Sequence, residues 1–228
     1  MDNRKIERAI KLIQAGAEMA DSKGQPIEVC YSGGKDSDVI LELARMANVN
    51  YRAIYKNTII DPPGTISHVK ANGVEIVRPK ESFLQLISKH GLPNRHMRFC
   101  CSELKEYKIL DYAIMGVRKD ESVKRAKRYN EPEECRHYTS GGKVRAYYPI
   151  LDWTLDDVQS FITERTIKVA PTYYKEDGSI DFSRRLGCMC CPLASEKKRL
   201  EEFHKHPNML KLYIRGGNFL KITNITLK

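Results

Sequence analysis

Ile27-Glu28-Val29-Cys30-Tyr31-Ser32-Gly33-Gly34-Lys35-Asp36-Ser37-Asp38-Val39-Ile40-Leu41-Glu42-Leu43-Ala44 passes from a short apolar run, through two glycines, into a helical pattern. Ile27–Tyr31 reads as a buried strand. Residues 36–47 place Val39, Ile40, Leu43 and Ala44 at helical spacing. Residues 32–37 form the tight polar connection between them. Gly33 and Gly34 let backbone N–H groups come close to phosphate oxygens. The helix that follows turns its positive N-terminal end toward the same anion. Ser32 and Ser37 add hydroxyl donors, and Lys35 adds a compact charge beside Asp36. A featureless polar turn is the bland alternative, but a strand before and a helix after favour phosphate binding. The spacing differs from the longer loop that ends in Gly-Lys-Ser/Thr and from the three-glycine dinucleotide fingerprint.

The same alternation extends outward. Residues 4–20 carry Ile6, Ile10, Ile13 and Ala17 on one helical face, and Gly24-Gln25-Pro26 ends that helix. Residues 51–55, 74–77 and 111–117 read as strands; residues 63–72, closed by Gly73, and 82–90, closed by Gly91, read as helices. Strands and helices in turn predict an α/β, Rossmann-like parallel sheet with helices on both faces and ligands at the carboxyl ends of the strands. Past about residue 130 the pattern weakens. Residues 154–164 form a helix capped by Thr154, with Asp156 and Asp157 in its first turn. Residues 168–185 read as loop, and 195–215 as helix interrupted at Pro207. Residues 1–130 are therefore expected to form the nucleotide-binding core and 131–228 a smaller C-terminal lobe closing over the site, within one continuous domain.

At 228 residues the chain suits one domain with a sizeable core. No apolar run has the length of a signal or membrane segment, so a cytoplasmic protein is expected. The net charge of +10 suits an anionic partner, whether nucleotide, nucleic acid or acidic protein. Seven cysteines, an odd number, argue against a disulfide framework and toward metal or thiol chemistry.

Those cysteines cluster. Cys100 and Cys101 are adjacent, and Cys188 and Cys191 form a Cys-x-x-Cys pair with Cys190 inside it. Four thiolates from two distant segments suit an iron–sulfur cluster or a zinc ion. Adjacent ligands fit poorly on one small ion and better on a larger cube; zinc, substitution by Cys190 and plain buried thiols stay open. Arg118, Lys119 and Arg125 follow a strand end and are candidates to grip phosphate or sulfate. Lys124, Lys127 and Arg128 read as a solvated face or part of a mobile lid. Asp61 suits either a magnesium or ribose contact or a cap on the next helix. Trp153 and Cys30 read as packing, and Cys135 as incidental.

Ser32-Gly33-Gly34-Lys35-Asp36-Ser37 resembles the PP-loop signature of the adenine nucleotide alpha hydrolase-like superfamily. More narrowly, the chain resembles the phosphoadenosine phosphosulfate (PAPS) and adenosine phosphosulfate (APS) reductase family. Further segments that carry the likeness are Arg98-Phe99-Cys100-Cys101-Ser102-Glu103-Leu104-Lys105, Gly116-Val117-Arg118-Lys119-Asp120-Glu121-Ser122 with Arg125, Pro149-Ile150-Leu151-Asp152-Trp153, and Gly187-Cys188-Met189-Cys190-Cys191-Pro192. The resemblance implies binding of ATP, or of APS or PAPS. It also implies a 4Fe-4S cluster on Cys100, Cys101, Cys188 and Cys191, and a place for Lys105 near cluster and substrate. One feature departs from the family. Its reductases attack substrate sulfur with a cysteine in a C-terminal Glu-Cys-Gly-Leu-His-like segment. Here no cysteine follows Cys191, and the chain ends Lys221-Ile222-Thr223-Asn224-Ile225-Thr226-Leu227-Lys228. The expectation is thus an ATP-dependent enzyme in which Lys35, Ser37 and Lys105 act on phosphates neutralised by Mg2+. A substrate oxygen is adenylylated, and sulfur from a donor protein displaces AMP; the acceptor class includes nucleic acid. The alternatives are a true reductase using Cys135 or Cys190 with a thioredoxin-like partner, and a non-catalytic nucleotide-binding iron–sulfur sensor.

Overall fold

Ile27–Tyr31 forms β1, with Ile27, Val29 and Tyr31 buried. The computed structural model describes residues 1–138 and 141–217, so the closing stretch 221–228 lies outside the described residues. β2 (Tyr51–Lys56) pairs parallel with β1, and β3 (Glu75–Val77) pairs parallel with β2. On the other side, β4 (Tyr112–Met115) runs parallel to β1 in the register Glu28↔Ala113. The chain continues outward with two strands, β5 (Glu133–His137) and β6 (Lys143–Tyr147), giving the order β3-β2-β1-β4-β6-β5. Strand order reverses at β1, so a crevice opens at the carboxyl ends of β1 and β4.

α1 (Asn3–Asp21) and α2 (Lys35–Ala47) lie against one face. Ile6, Ile13 and Ala17 of α1 and Val39, Ile40 and Leu43 of α2 close the main core over Val29 and Ile114. The chain between β3 and β4 passes over the opposite face, where Lys56 Nζ donates to Tyr107 O at 2.6 Å and Leu110 N to Glu28 Oε2 at 3.3 Å. That passage carries α4 (Phe83–His90) and α5 (Phe99–Leu104), and a short α3 (Thr65–Ala71) precedes β3. Beyond β4 come α6 (Val123–Arg128), α7 (Leu155–Glu164), α8 (Glu196–Lys205) and α9 (Pro207–Gly217).

A second core joins Phe83, Leu86, Ile87, Leu104, Cys190, Met209 and Tyr213, drawing on α4, α5, α9 and the Cys188–Cys191 turn. Ser82 closes a capping box on α4, and Thr154 closes one on α7. Pro207 opens α9 at a position where its missing N–H is no loss.

The structure departs from the sequence reading in four places. β5 and β6 extend the sheet past residue 130, and β5 is antiparallel to β6, so the sheet is mostly rather than wholly parallel. Both strands are short and charged; in β6 only Val144, Ala146 and Tyr147 are buried, so hydrophobic patterning barely marks them. The helix expected over 63–72 begins at Thr65, because Gly64 holds a φ of 85° at its N-cap. α2 starts at Lys35, leaving Ser32, Gly33 and Gly34 as the whole loop. Finally, α5 and α6 are too short to show a helical period.

Candidate active site

Gly33 takes a φ of 79°, and a Cβ there would come within 3.0 Å of Thr65 Cγ2. Gly34 caps α2. The turn is closed by Ser37, whose hydroxyl donates to Gly34 O at 2.7 Å, with Ser32 Oγ 3.3 Å from Ser37 Oγ. Lys35 is almost fully buried; its ammonium donates to Arg184 O at 3.2 Å and stands 3.7 Å from Asp36 Oδ2. Burial holds the Lys35 pKa below the ordinary lysine value. The segment after Pro171 folds over this turn. Tyr173, not anticipated from sequence, accepts the Lys35 amide at 3.1 Å and the Leu186 amide at 3.4 Å on its hydroxyl.

Behind the turn, Asp38 is buried. It accepts from the Tyr31 hydroxyl and meets His68 Nε2 at 2.9 Å, while its Oδ2 has no partner among the described residues. Burial raises the Asp38 pKa. Arg118 is also buried and serves the loop from the side. Its Nε donates to Asp36 Oδ1 at 2.6 Å, and its Nη1 to Asp120 Oδ2 at 3.1 Å. Lys119 pairs with Asp152 at 2.7 Å, and Arg125 pairs with Glu121. The three cations predicted to grip phosphate are therefore each held by carboxylates, and Arg118 reaches the loop through Asp36.

A cleft of about 180 Å³ opens beside the loop, at the ends of β1, β2 and β4. Ser32, Tyr55, Lys56, Lys105, Arg136 and Tyr138 line it, together with Glu28 and Cys30. Of the predicted residues, Ser32 and Lys105 meet here. Cys30 is half-buried on the cleft wall rather than sealed in its strand, and burial with Glu28 beside it pushes its thiol well up. Lys56, Arg136 and Tyr138 were not singled out in the sequence; only their placement on one sheet face reveals them. Cys135 stands on the exposed edge strand next to Arg136, and alternation along β5 turns it away from the cleft.

Lys105 links cleft and cysteines. It donates to Asp61 Oδ1 at 3.3 Å and lies within electrostatic reach of Cys188. Burial works against its charge, but Cys188 and Asp61 outweigh this and hold its pKa above the ordinary range. Asp61 does not cap α3, whose N-cap Gly64 has no side-chain bond. Cys101 shares a hydrogen bond with Cys100 that pulls its own thiol down to about 7 and pushes Cys100 up; Cys188 and Cys191 also act on Cys100. Cys100 is thus within electrostatic reach of Cys101, Cys188 and Cys191. Among the described residues no three Cys, His, Asp or Glu groups are close enough together to hold a single metal ion. Cys190 adopts a φ of 53° and buries its side chain in the second core; its N–H donates to Glu202 at 2.7 Å, and burial raises its thiol to about 11.

A mostly parallel sheet whose first strand ends in a glycine loop at a helix N-terminus, opening on a cleft lined by paired cations and carboxylates, defines an α/β protein of the PP-loop fold. Within that class the chain belongs to the phosphoadenosine phosphosulfate reductase domain family, which matches residues 26–194. Membership supports adenine nucleotide binding. An uncharacterized protein of Methanocaldococcus jannaschii is 27% identical over 225 residues, covering 91% of this chain and 51% of that protein. An uncharacterized 37.8 kDa protein of Escherichia phage 186 is 31% identical over 152 residues, covering 60% of this chain and 43% of its own length. The chain spans about half the length of the curated relatives it matches. Among solved structures, the PAPS reductase of Candida auris in its phosphate complex superposes with a TM-score of 0.53 at 18% identity, covering 82% of this chain and 96% of that one. At that identity the likeness concerns the fold.

Proposed function

We propose that the protein is an ATP-dependent enzyme of sulfur chemistry that adenylylates a substrate oxygen and then lets sulfur displace AMP. The observation that carries this reading is that Ser32 of the glycine loop and Lys105 beside Cys188 line one cleft. The loop of Ser32, Gly33 and Gly34, with Lys35, Asp36 and Ser37 in the first turn of α2, holds the phosphates of ATP, which bring magnesium on their own oxygens. Arg118 keeps the loop in place through Asp36, while Lys119 and Arg125 are held by Asp152 and Glu121. A substrate oxygen attacks the α-phosphorus; the bond to the bridging oxygen breaks, and pyrophosphate leaves with the electron pair. A sulfur nucleophile from a donor then attacks the activated carbon, the carbon–oxygen bond breaks, and AMP departs. Lys35 and Lys105 balance the charge that develops at the two ends of this path. A nucleic-acid acceptor fits the net charge of +10.

Cys100, Cys101, Cys188 and Cys191 suit a 4Fe-4S cluster. They are four thiols from two segments, an adjacent pair and a Cys-x-x-Cys pair, with Cys100 in electrostatic reach of the other three. Such a cluster, when bound, supplies a sulfur- and electron-handling centre next to Lys105. The chain's own residues there bury Cys100, leave Cys101, Cys188 and Cys191 half-buried, and place the Lys105 cation beside Cys188.

The three thiols outside the four-cysteine set favour this reading over thiol-dependent reduction. Cys30 is held protonated by burial and Glu28, Cys190 is sequestered in the second core, and Cys135 faces away from the cleft. The test is pyrophosphate release from ATP by anaerobically prepared protein, with transfer RNA and small-molecule acceptors supplied in turn. Acceptor-dependent release supports adenylylation. Tight PAPS binding with sulfite formation from PAPS and thioredoxin, and no pyrophosphate from ATP, would replace it with reduction.

A further inference from the structure

Asp61 sits where the cleft meets the cysteine lobe, and its side chain is 7% exposed. Three protein donors engage Oδ2: the Tyr55 hydroxyl at 2.6 Å, the Thr58 hydroxyl at 2.6 Å and the Thr58 amide at 3.4 Å. Oδ1 is left to Lys105 Nζ, at 3.3 Å. One residue earlier, Ile60 O accepts the Met189 amide at 2.7 Å, which ties the same turn to the Cys188–Cys191 segment. Ile59, between Thr58 and Ile60, is a β-branched residue at a φ of 68°, a strained conformation that persists only where its surroundings fix it. The turn is therefore rigid. Lys105, by contrast, carries its charge on a flexible four-carbon stem and pairs there with Asp61 at 3.3 Å, with Cys188 in electrostatic reach. A rigid carboxylate facing a flexible cation selects one position for that cation, at the boundary of the cleft.

We propose that Asp61 is a positioning residue, fixing the Lys105 ammonium where it meets the bound nucleotide on one side and Cys188 on the other. The inference rests on the reading of the cleft as a nucleotide site. Asp61 acts through Lys105 and makes no contact of its own with the reacting atoms.

The test is a double-mutant cycle on the full chain with Asp61→Asn, Lys105→Gln and the pair, reading ATP affinity by calorimetry and melting temperature without nucleotide. Asp61→Asn keeps an oxygen for Tyr55 and Thr58 and turns an amide toward Lys105. Each single substitution should weaken ATP binding about tenfold, and the pair no more than Lys105→Gln alone, because coupled partners are not additive. Thr58→Val loosens Asp61 without touching Lys105; it should weaken ATP binding in the same direction as Asp61→Asn but by less, and add no loss in the Lys105→Gln background. Affinity in Asp61→Asn equal to that of the unchanged protein, or a pair whose loss is the product of the singles, overturns the proposal. If the unchanged protein binds no ATP, the nucleotide reading fails by itself. The melting cycle then still judges the tie: non-additive melting temperatures uphold it and additive ones remove it.

Discussion

Gly116 shows how little room the loop has. A Cβ built there falls 2.9 Å from Asp36 O, a backbone atom that cannot swing aside. Gly116→Ala should therefore displace the first turn of α2, costing about 1–3 kcal/mol in thermal unfolding and weakening nucleotide binding in the same variant. Lys35 makes a second prediction. Its folded-state pKa is lowered by burial, so its ammonium is fully present at low and neutral pH and is lost, as pH rises, earlier than that of an ordinary lysine. Phosphate binding needs the charged form and favours it. ATP affinity should fall on the alkaline side, and calorimetry in buffers of different ionisation enthalpy should reveal proton uptake on binding there. Lys35→Met should cost about 1.5–3 kcal/mol of binding and abolish that pH dependence.

At the scale of elements, the second core clamps the cysteine turn between α4 and α9. The Phe83 ring stands 5.4 Å from that of Tyr213, whose hydroxyl donates to Cys190 O at 3.1 Å. Phe83→Ala should cost about 3–5 kcal/mol and make Cys190 reactive toward alkylating reagents, read by thermal unfolding and mass spectrometry. The elements legible in the sequence were α1, α2, α3, α4 and α7, the pair α8 and α9 parted at Pro207, and the strands β1 to β4. β5 and β6 escaped because Glu133, Glu134, Arg136, Lys143 and Arg145 make them look like surface. A strand at a sheet edge, or one covered only by small side chains, needs few apolar residues.

For the whole molecule, the prediction concerns what the cysteines hold. Anaerobically purified protein should contain about four iron and four sulfide per chain and absorb visible light. Colourless protein with stoichiometric zinc and no iron would remove the cluster, and Cys188→Ser should lower the iron content in step with the colour. The glycine loop, the Cys-Cys and Cys-x-x-Cys spacings and the caps at Ser82 and Thr154 are each made by residues close in the chain. Backbone conformation and local hydrogen bonding specify them, so they stand in the order of the letters. The meeting of Arg118 with Asp36, 82 residues apart, and of Lys105 with Asp61, 44 apart, obeys a different rule. Those pairs come together because burying the faces of β1, β2 and β4 brings distant strand ends into one crevice. Burial rewards any apolar face of suitable shape, so no short pattern announces which charged side chains will be left at its rim.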